Sequence, residues 1–388
     1  MADSTSTPKT RRARKDSDFP LYVHSASGFW CKTVGTKRHY FEKVANDPDG
    51  KKSLDAWLDN RDNFLAGRAP AKADAIRTKH LCNDWLTSKK NKLTAGELSQ
   101  RSFDEYKATT DFLIEQLGKD RAADDIGPND FTKVRSALAE RWGVNGLTKR
   151  LGQIRSVFKH AWESGLIEKP ARFGPGFAKP TAKVMRQHRI GKGQQDFTAE
   201  EIRSLLRLAK PNLRAMILLG VQGGFGNTDV AELPLAAVDL DGGWIDYPRA
   251  KTATHRRVPL WPETVEAIRE VLAIRPEVES EFLFISCRGN DYTDAGRSGY
   301  RIGGTFVKTS RPAGITDKGF YCLRRTFQTI GEGARDLVAV QSIMGHIHSE
   351  RDMSARYRQR VDDERLKAVT NCVRQWLLPI PKAGEVAQ

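Results

Sequence analysis

The sequence predicts a multidomain protein, mainly α-helical with small β-sheets. Three observations carry that expectation. The chain has 388 residues, and ordinary domains hold about 100–200. Short aromatic and β-branched runs split by turn residues occupy residues 21–41, whereas residues 53–66 and 74–168 repeat their apolar side chains at helical spacing. Between residues 169 and 196 that period stops, and proline, glycine and basic residues take over.

In chain order, residues 1–18 have no apolar periodicity and carry Arg11, Arg12, Arg14 and Lys15. Such a segment cannot bury a core and reads as a disordered basic tail. Residues 21–24, 29–34 and 37–41 read as three strands of a meander, turned at Ser25-Ala26-Ser27-Gly28 and Gly35-Thr36. Residues 53–66 follow as a helix with Leu54, Trp57, Leu58 and Phe64 on one side. Together they form a small β-sheet module over residues 19–68. A Pro/Ala-rich connector leads into an all-helical domain over residues 74–168. Its helices are marked by Leu81, Trp85 and Leu86, by Tyr106 through Leu117, and by Pro128 opening a third. A fourth, residues 147–162, has Leu151, Ile154, Val157, Phe158 and Ala161 as its apolar stripe. Lys149, Arg150, Arg155 and Lys159 lie off that stripe and face either phosphates or solvent.

Residues 169–196 read as a basic interdomain linker, with Lys183, Arg186 and Arg189 among its cations. The last domain spans residues 197–378. Thr198 and Glu201 form a capping box at its first helix, and residues 213–221 are an apolar helix. Residues 242–247 and 256–260 read as strands around a turn holding Lys251-Thr252, residues 264–272 as a helix, and residues 282–285 as another strand. Residues 363–378 are an amphipathic helix, and residues 379–388 a tail.

Lys and Arg exceed Asp and Glu by 64 − 48 = 16. A basic chain of this size points to a polyanionic partner, nucleic acid first, against the plainer reading that the charge serves solubility. No apolar run approaches the ~20 residues of a membrane span, and the N-terminal residues lack the apolar stretch of a secretory signal. The 5 cysteines form no CxxC pair, so neither disulfides nor zinc are expected, and a cytoplasmic location fits. There is no phosphate-binding GxxxxGK[ST] loop and no HExxH; the glycines at 223, 224 and 226 lack the strand-then-helix setting of a dinucleotide site. His346 and His348 have no third ligand nearby.

The informative stretch is residues 320–358. It holds Leu323-Arg324-Arg325-Thr326-Phe327, then Ile343-Met344-Gly345-His346, then Tyr357 between Arg356 and Arg358. In order and spacing this resembles the C-terminal part of the tyrosine recombinase (phage integrase) family: a His-x-x-Arg, a Leu-Gly-His segment and a nucleophilic tyrosine. Upstream, Lys251-Thr252 with Arg257-Val258-Pro259-Leu260 resembles that family's lysine hairpin, and residues 225–240 its first catalytic box. The resemblance covers residues 75–378 and implies a helical core-binding domain followed by an α+β catalytic domain. The N-terminal module resembles the arm-type DNA-binding modules of some integrases.

What the resemblance implies is site-specific cutting and rejoining of double-stranded DNA through a 3′-phosphotyrosine, with no cofactor and no metal. Tyr357 would attack phosphorus, Arg324 and His346 would bind the non-bridging oxygens, and Lys251 would protonate the leaving 5′ oxygen. Lys149, Arg150, Arg155, Lys159, Lys183, Arg186 and Arg189 would contact DNA. The helix at residues 363–378 would dock on a neighbouring protomer, giving a homo-oligomer on DNA, a tetramer in synapsis; the plainer alternative is that it packs on its own domain. Two positions depart from the pattern. Tyr321 stands where the family has the His of His-x-x-Arg. Gly226 stands where it has its first catalytic arginine, with Asp229 matching the acidic position that follows. Arg249 and Arg256, flanking the lysine hairpin, are the first candidates for a substitute cation, ahead of Asn227 and Arg325. The alternatives are a recombinase relative that only binds DNA, and a topoisomerase-like nicking and closing enzyme, which the N-terminal module disfavours.

Overall fold

The computed structural model describes residues 19–67, 75–249, 251–293, 300–346 and 353–379. The expected basic tail at residues 1–18 and nearly all of the C-terminal tail lie outside them. The fold is mainly helical with two small antiparallel sheets, as expected, and the chain divides into two compact units, Met1–Arg186 and Gln187–Gln388. No described helix is long and apolar enough to cross a membrane.

The first unit opens with β1 (Tyr22–His24), β2 (Phe29–Val34) and β3 (Lys37–Lys43), an antiparallel meander in register Tyr22↔Cys31 and Cys31↔Tyr40. Helix α1 (Lys51–Leu65) covers it. Leu21, Trp30, Trp57 and Phe64 form the shared core, and Trp30 satisfies its indole N–H on the Asp47 carbonyl at 2.7 Å. Four helices follow: α2 (Thr78–Thr94), α3 (Gln100–Leu117), α4 (Pro128–Arg141) and α5 (Val144–Glu163). Their core holds Leu81, Trp85, Phe112, Phe131, Leu151, Ile154 and Phe158, and the α5 stripe is interior as its spacing predicts. The sheet module does not stand apart from the bundle. Arg77, 7% exposed, donates to the Asp59 carbonyl on α1 at 2.8 Å and faces Asp120 at 3.6 Å.

The stretch read as a linker is only partly one. Phe177 is wholly buried in the bundle core, and Phe173 packs on Phe131 with ring centroids 4.4 Å apart. Two aromatic side chains give this Pro/Gly-rich segment an apolar anchor that its composition hides. Beyond it, α6 (Ala182–Ile190) is a short helix with no buried residue.

The second unit is built around α8. Helix α7 (Ala199–Leu208) starts on the Thr198–Glu201 capping box, with the Glu201 N–H 3.2 Å from the Thr198 hydroxyl. Helix α8 (Pro211–Gly223) is buried continuously from Ala215 to Gly223, as befits an apolar run with no polar face. A short α9 (Asn227–Ala231) leads to a sheet of β4 (Val238–Asp239), β5 (Trp244–Asp246) and β6 (Arg257–Pro259), paired in order and antiparallel. Then come α10 (Pro262–Ala273), α11 (Tyr300–Ser310), α12 (Cys322–Gly331), α13 (Leu337–Met344), α14 (Met353–Tyr357) and α15 (Asp363–Leu377).

Two expectations are corrected. Residues 282–285 are not a strand: Leu283, Phe284 and Ile285 are core, and only isolated bridges, Pro234↔Phe282 and Ile285↔Asp291, flank them. A short apolar run buries itself equally well without a ladder. Helix α15 does not present its apolar face to another protomer. Leu366, Val369, Val373 and Leu377 are buried in this unit's own core, and the Trp261 indole donates to the Thr370 carbonyl at 3.1 Å.

Candidate active site

Helix α8 ends at Gly224, whose φ of 64° suits glycine. A side chain there would also crowd Phe327, at 3.1 Å, and Met344, at 3.3 Å. The freed carbonyl of Gly224 accepts a hydrogen bond from Arg324 Nη1 at 2.5 Å. Nη2 of the same guanidinium donates to the carbonyl of Met344 at 2.8 Å. Arg324 sits on the first turn of α12 and is 2% exposed. It thus ties together the end of α8 and the end of α13, the two places where the sequence put catalytic segments. Gly345 closes α13 with φ 61°. His346 follows, half-buried, its backbone N–H on the Gln341 carbonyl at 3.0 Å.

Asp229 is the hub that spacing alone did not reveal. It is 5% exposed and caps α9 by accepting the Gly226 N–H at 2.7 Å. Its carboxylate also lies 3.8 Å from Arg249 Nε and 3.7 Å from Arg256 Nη1. Arg256 is completely enclosed, with its guanidinium 3.9 Å from the centroid of the Phe225 ring and 5.8 Å from that of Tyr247. Its three nitrogens are buried without hydrogen-bond partners. Burial, and then repulsion from Arg324 and Arg249, bring its pKa down to about 10 against the pull of Asp229. Burial first and Arg249 second also lower that of Arg324. Guanidinium groups remain cationic at neutral pH even so. Three of them against one carboxylate leave 3 − 1 = 2 positive charges in a buried cluster of low polarisability. That cluster favours an anion beside it.

The hairpin between β5 and β6 carries Arg249, Lys251 and Arg256. Arg249 pairs with Thr254 through its backbone N–H at 2.9 Å, and the Thr252 hydroxyl donates to the Gly345 carbonyl at 3.3 Å. The turn is therefore tied to the Gly-His segment, with Lys251 exposed at its tip. Tyr321 caps α12 and is 50% exposed; its ring carbon lies 3.6 Å from where a Cβ on Gly226 would be. The structure thus brings together Arg324, Tyr321, Arg249, Arg256 and the backbone beside His346. Tyr357 ends α14 at 78% exposure, and no contact among the described residues joins it to the arginine cluster.

The candidate DNA contacts fare differently. Lys149 is ion-paired with Glu105, and Lys159 lies 3.5 Å from Glu163. Arg150 stacks on Trp142 at 3.9 Å. Arg155 is a correction: it donates to the Phe177 carbonyl at 2.9 Å and lies over the Phe173 ring, pinning the segment after α5. Lys183, Arg186 and Arg189 on α6 are exposed.

Residues 195–364 match the model of the phage integrase family. The type 1 fimbriae regulatory protein FimB of Escherichia coli (strain K12) is 31% identical over 114 residues, 27% of this chain. The match spans 57% of that relative's length. Among solved structures, a lambda integrase tetramer bound to a Holliday junction superposes with a TM-score of 0.56 at 16% identity, covering 90% of this chain and 98% of that one. The Tn1549 transposon integrase in complex with transposon right end DNA gives 0.53 at 16% identity, covering 76% and 99%. At such identities the likeness establishes the fold. The resemblance to the tyrosine recombinase, or phage integrase, family therefore holds over residues 195–364, the stretch that the family's model matches.

Proposed function

We propose that this chain is a site-specific DNA recombinase, an integrase that cuts and rejoins duplex DNA through a covalent 3′-phosphotyrosine. The observation that carries the proposal is the buried, twice-anchored Arg324 in a net-positive cluster beside the Gly-His segment. Fixed cationic donors cost no reorganisation as charge develops on a phosphate, which is where most of such a rate enhancement arises. In this mechanism the Tyr357 Oη attacks phosphorus, and its proton passes to water at its exposed face. The bond to the 5′ oxygen breaks as Lys251, at the hairpin tip, gives that oxygen a proton. Arg324 and His346 hold the non-bridging oxygens, and Tyr321 serves as a hydrogen-bond donor in place of the family's histidine. A 5′ hydroxyl from the partner strand then reverses the step, expels the tyrosine and restores a phosphodiester.

Each chain supplies one nucleophile, and exchanging two duplexes takes four strand cuts, so a homo-oligomer on DNA belongs to this proposal. A second reading is favoured by one observation: Gly226 leaves the family's first arginine position without a cation of its own. On that reading the chain is a catalytically impaired relative that binds DNA. The test uses nicked duplexes drawn from the DNA flanking the protein's own coding sequence. The wild type should accumulate a covalent adduct; Tyr357→Phe should bind the same duplexes and form none. An adduct of normal yield from Tyr357→Phe removes this tyrosine from the mechanism. Binding without any adduct from the wild type favours the second reading.

A further inference from the structure

We propose that Arg249 supplies from the hairpin the guanidinium that the family pattern places at position 226, and that Arg256 holds Asp229 beneath it. The proposal rests on the recombinase reading above. Gly226 is not demanded by its backbone: φ is −89° and ψ 177°, a conformation any residue adopts. The nearest atoms to a Cβ there would be Asp229 Oδ2 at 3.3 Å and the Tyr321 ring carbons at 3.6 and 3.7 Å. Position 226 therefore lies between the Asp229 carboxylate and the Tyr321 ring, two residues from the carbonyl that Arg324 grips.

Arg249 converges on that position. Its Nε lies 3.8 Å from Asp229 Oδ1, and its stem runs along Gly345, where a Cβ would come within 3.0 Å of the Arg249 Cβ and 3.2 Å of its Cδ. Only glycine at 345 lets the arginine lie so close to the Gly-His segment. The Arg249 Nε is buried with no hydrogen-bond partner. Buried guanidinium donors are normally satisfied, so an orphaned one on a side chain that still reaches the surface suits an incoming acceptor. The side chain keeps 13% of its surface exposed, so it can touch a bound phosphate. Arg256 lies deeper, at 0% exposure, with its guanidinium on the Phe225 ring and Nη1 3.7 Å from Asp229 Oδ2. Arg256 is a positioning residue, and Arg249 is the catalytic one. The hairpin thereby delivers two cations two residues apart, Arg249 to the non-bridging oxygens and Lys251 to the leaving oxygen.

The test is adduct formation on the same nicked duplexes, with duplex affinity and Tm measured alongside. Arg249→Ala should form adduct about 100- to 1,000-fold more slowly, the usual cost of one oxyanion donor, with affinity retained. Should the alanine variant not fold, Arg249→Gln keeps the stem against Gly345 and reads the same charge. Adding Gly226→Arg to Arg249→Ala should restore the rate at least tenfold. On a substrate whose scissile phosphate is a neutral methylphosphonate, the Arg249→Ala deficit should shrink, which a merely structural role would not produce. Arg249→Ala cleaving at the wild-type rate overturns the proposal, and so does a deficit that neither Gly226→Arg nor the methylphosphonate relieves. A silent wild type activated by Gly226→Arg also overturns it, while leaving tyrosine chemistry in place. If neither forms adduct although both bind duplex, the recombinase reading itself falls and this proposal with it.

Discussion

Helices α6 and α15 look alike in sequence, and the fold uses them in opposite ways. Both carry apolar and basic side chains, and both read as facing a partner, the stretch that forms α6 as a linker contacting DNA and α15 as docking on a neighbouring protomer. Helix α15 spends its apolar face inside its own unit, where Leu366, Val369, Val373 and Leu377 are buried. Its arginines are matched: Arg365 to Asp336 at 2.7 Å and Arg374 to Glu263 at 2.6 Å. Helix α6 buries nothing, leaves Val184 and Ile190 exposed at 41% and 77%, and carries Lys183, Arg186 and Arg189 at the surface. An apolar stripe says that a helix has something to cover. It does not say whose surface will cover it.

The widest separation between the two helices is expected on deletion. Truncation after Gln359 removes the whole of α15 and with it four core side chains, each contributing about 1.5–3 kcal/mol of burial. That sum is comparable with the net stability of a domain, so the second unit should lose its cooperative unfolding transition by calorimetry and circular dichroism. A truncated protein with the native transition would mean that α15 is a detachable connector after all. Single substitutions sharpen the contrast. Leu366→Ala should cost about 2–5 kcal/mol in denaturant unfolding, whereas Val184→Ala on α6 should stay within about 0.5 kcal/mol.

Charge should divide the helices in the other direction. Replacing Lys183, Arg186 and Arg189 together by glutamine should leave Tm unchanged and flatten the log–log salt dependence of duplex binding by up to about 2.7, or about 0.9 for each phosphate no longer neutralised. Arg374→Gln should move Tm slightly and the salt slope not at all. Equal slopes for the wild type and the α6 variant would take that helix off the DNA. The smallest effect is on pH. The carboxyls of Glu263, Asp336 and Asp363 are held below their ordinary values, first by hydrogen bonds from Arg374, Arg365 and Arg257. Groups with depressed folded pKa values contribute stability that is present above the unfolded pKa, about 4, and lost as the pH falls through the folded values. Each pair is partly exposed and worth about 0–1 kcal/mol. Amide exchange in α15 should therefore speed up modestly below pH 4, and α6, without such pairs, should show no matching step.

The same division between local pattern and tertiary placement runs through the site. Motif order pointed to Arg324, Gly345-His346 and Lys251, because turns, glycine caps and hairpins are short-range features. It also pointed to Gly226 as the position that stands where the resembled family has an arginine. It could not rank Arg249 against Arg256, seven residues apart on one hairpin. Only packing shows that one is sealed on Phe225 and the other keeps an open edge. Nor could it see that Arg155 is taken up by the Phe177 carbonyl, or that Phe173 and Phe177 turn half of a linker into core.

By itself, then, the sequence determined most of the order of elements, the helical stripes and the capping box at Thr198, and it singled out the segments that resemble the family's motifs. Each is settled by residues within a turn or two of one another. The tertiary structure alone decided which surface covers α15, which cations are neutralised, and how three arginines gather on Asp229. Those outcomes depend on groups far apart in the chain, Gly224 and Arg324 being 100 residues apart. A charge's chemistry is set by its burial and by what stands opposite it, and neither is written in the charge's own neighbourhood of sequence.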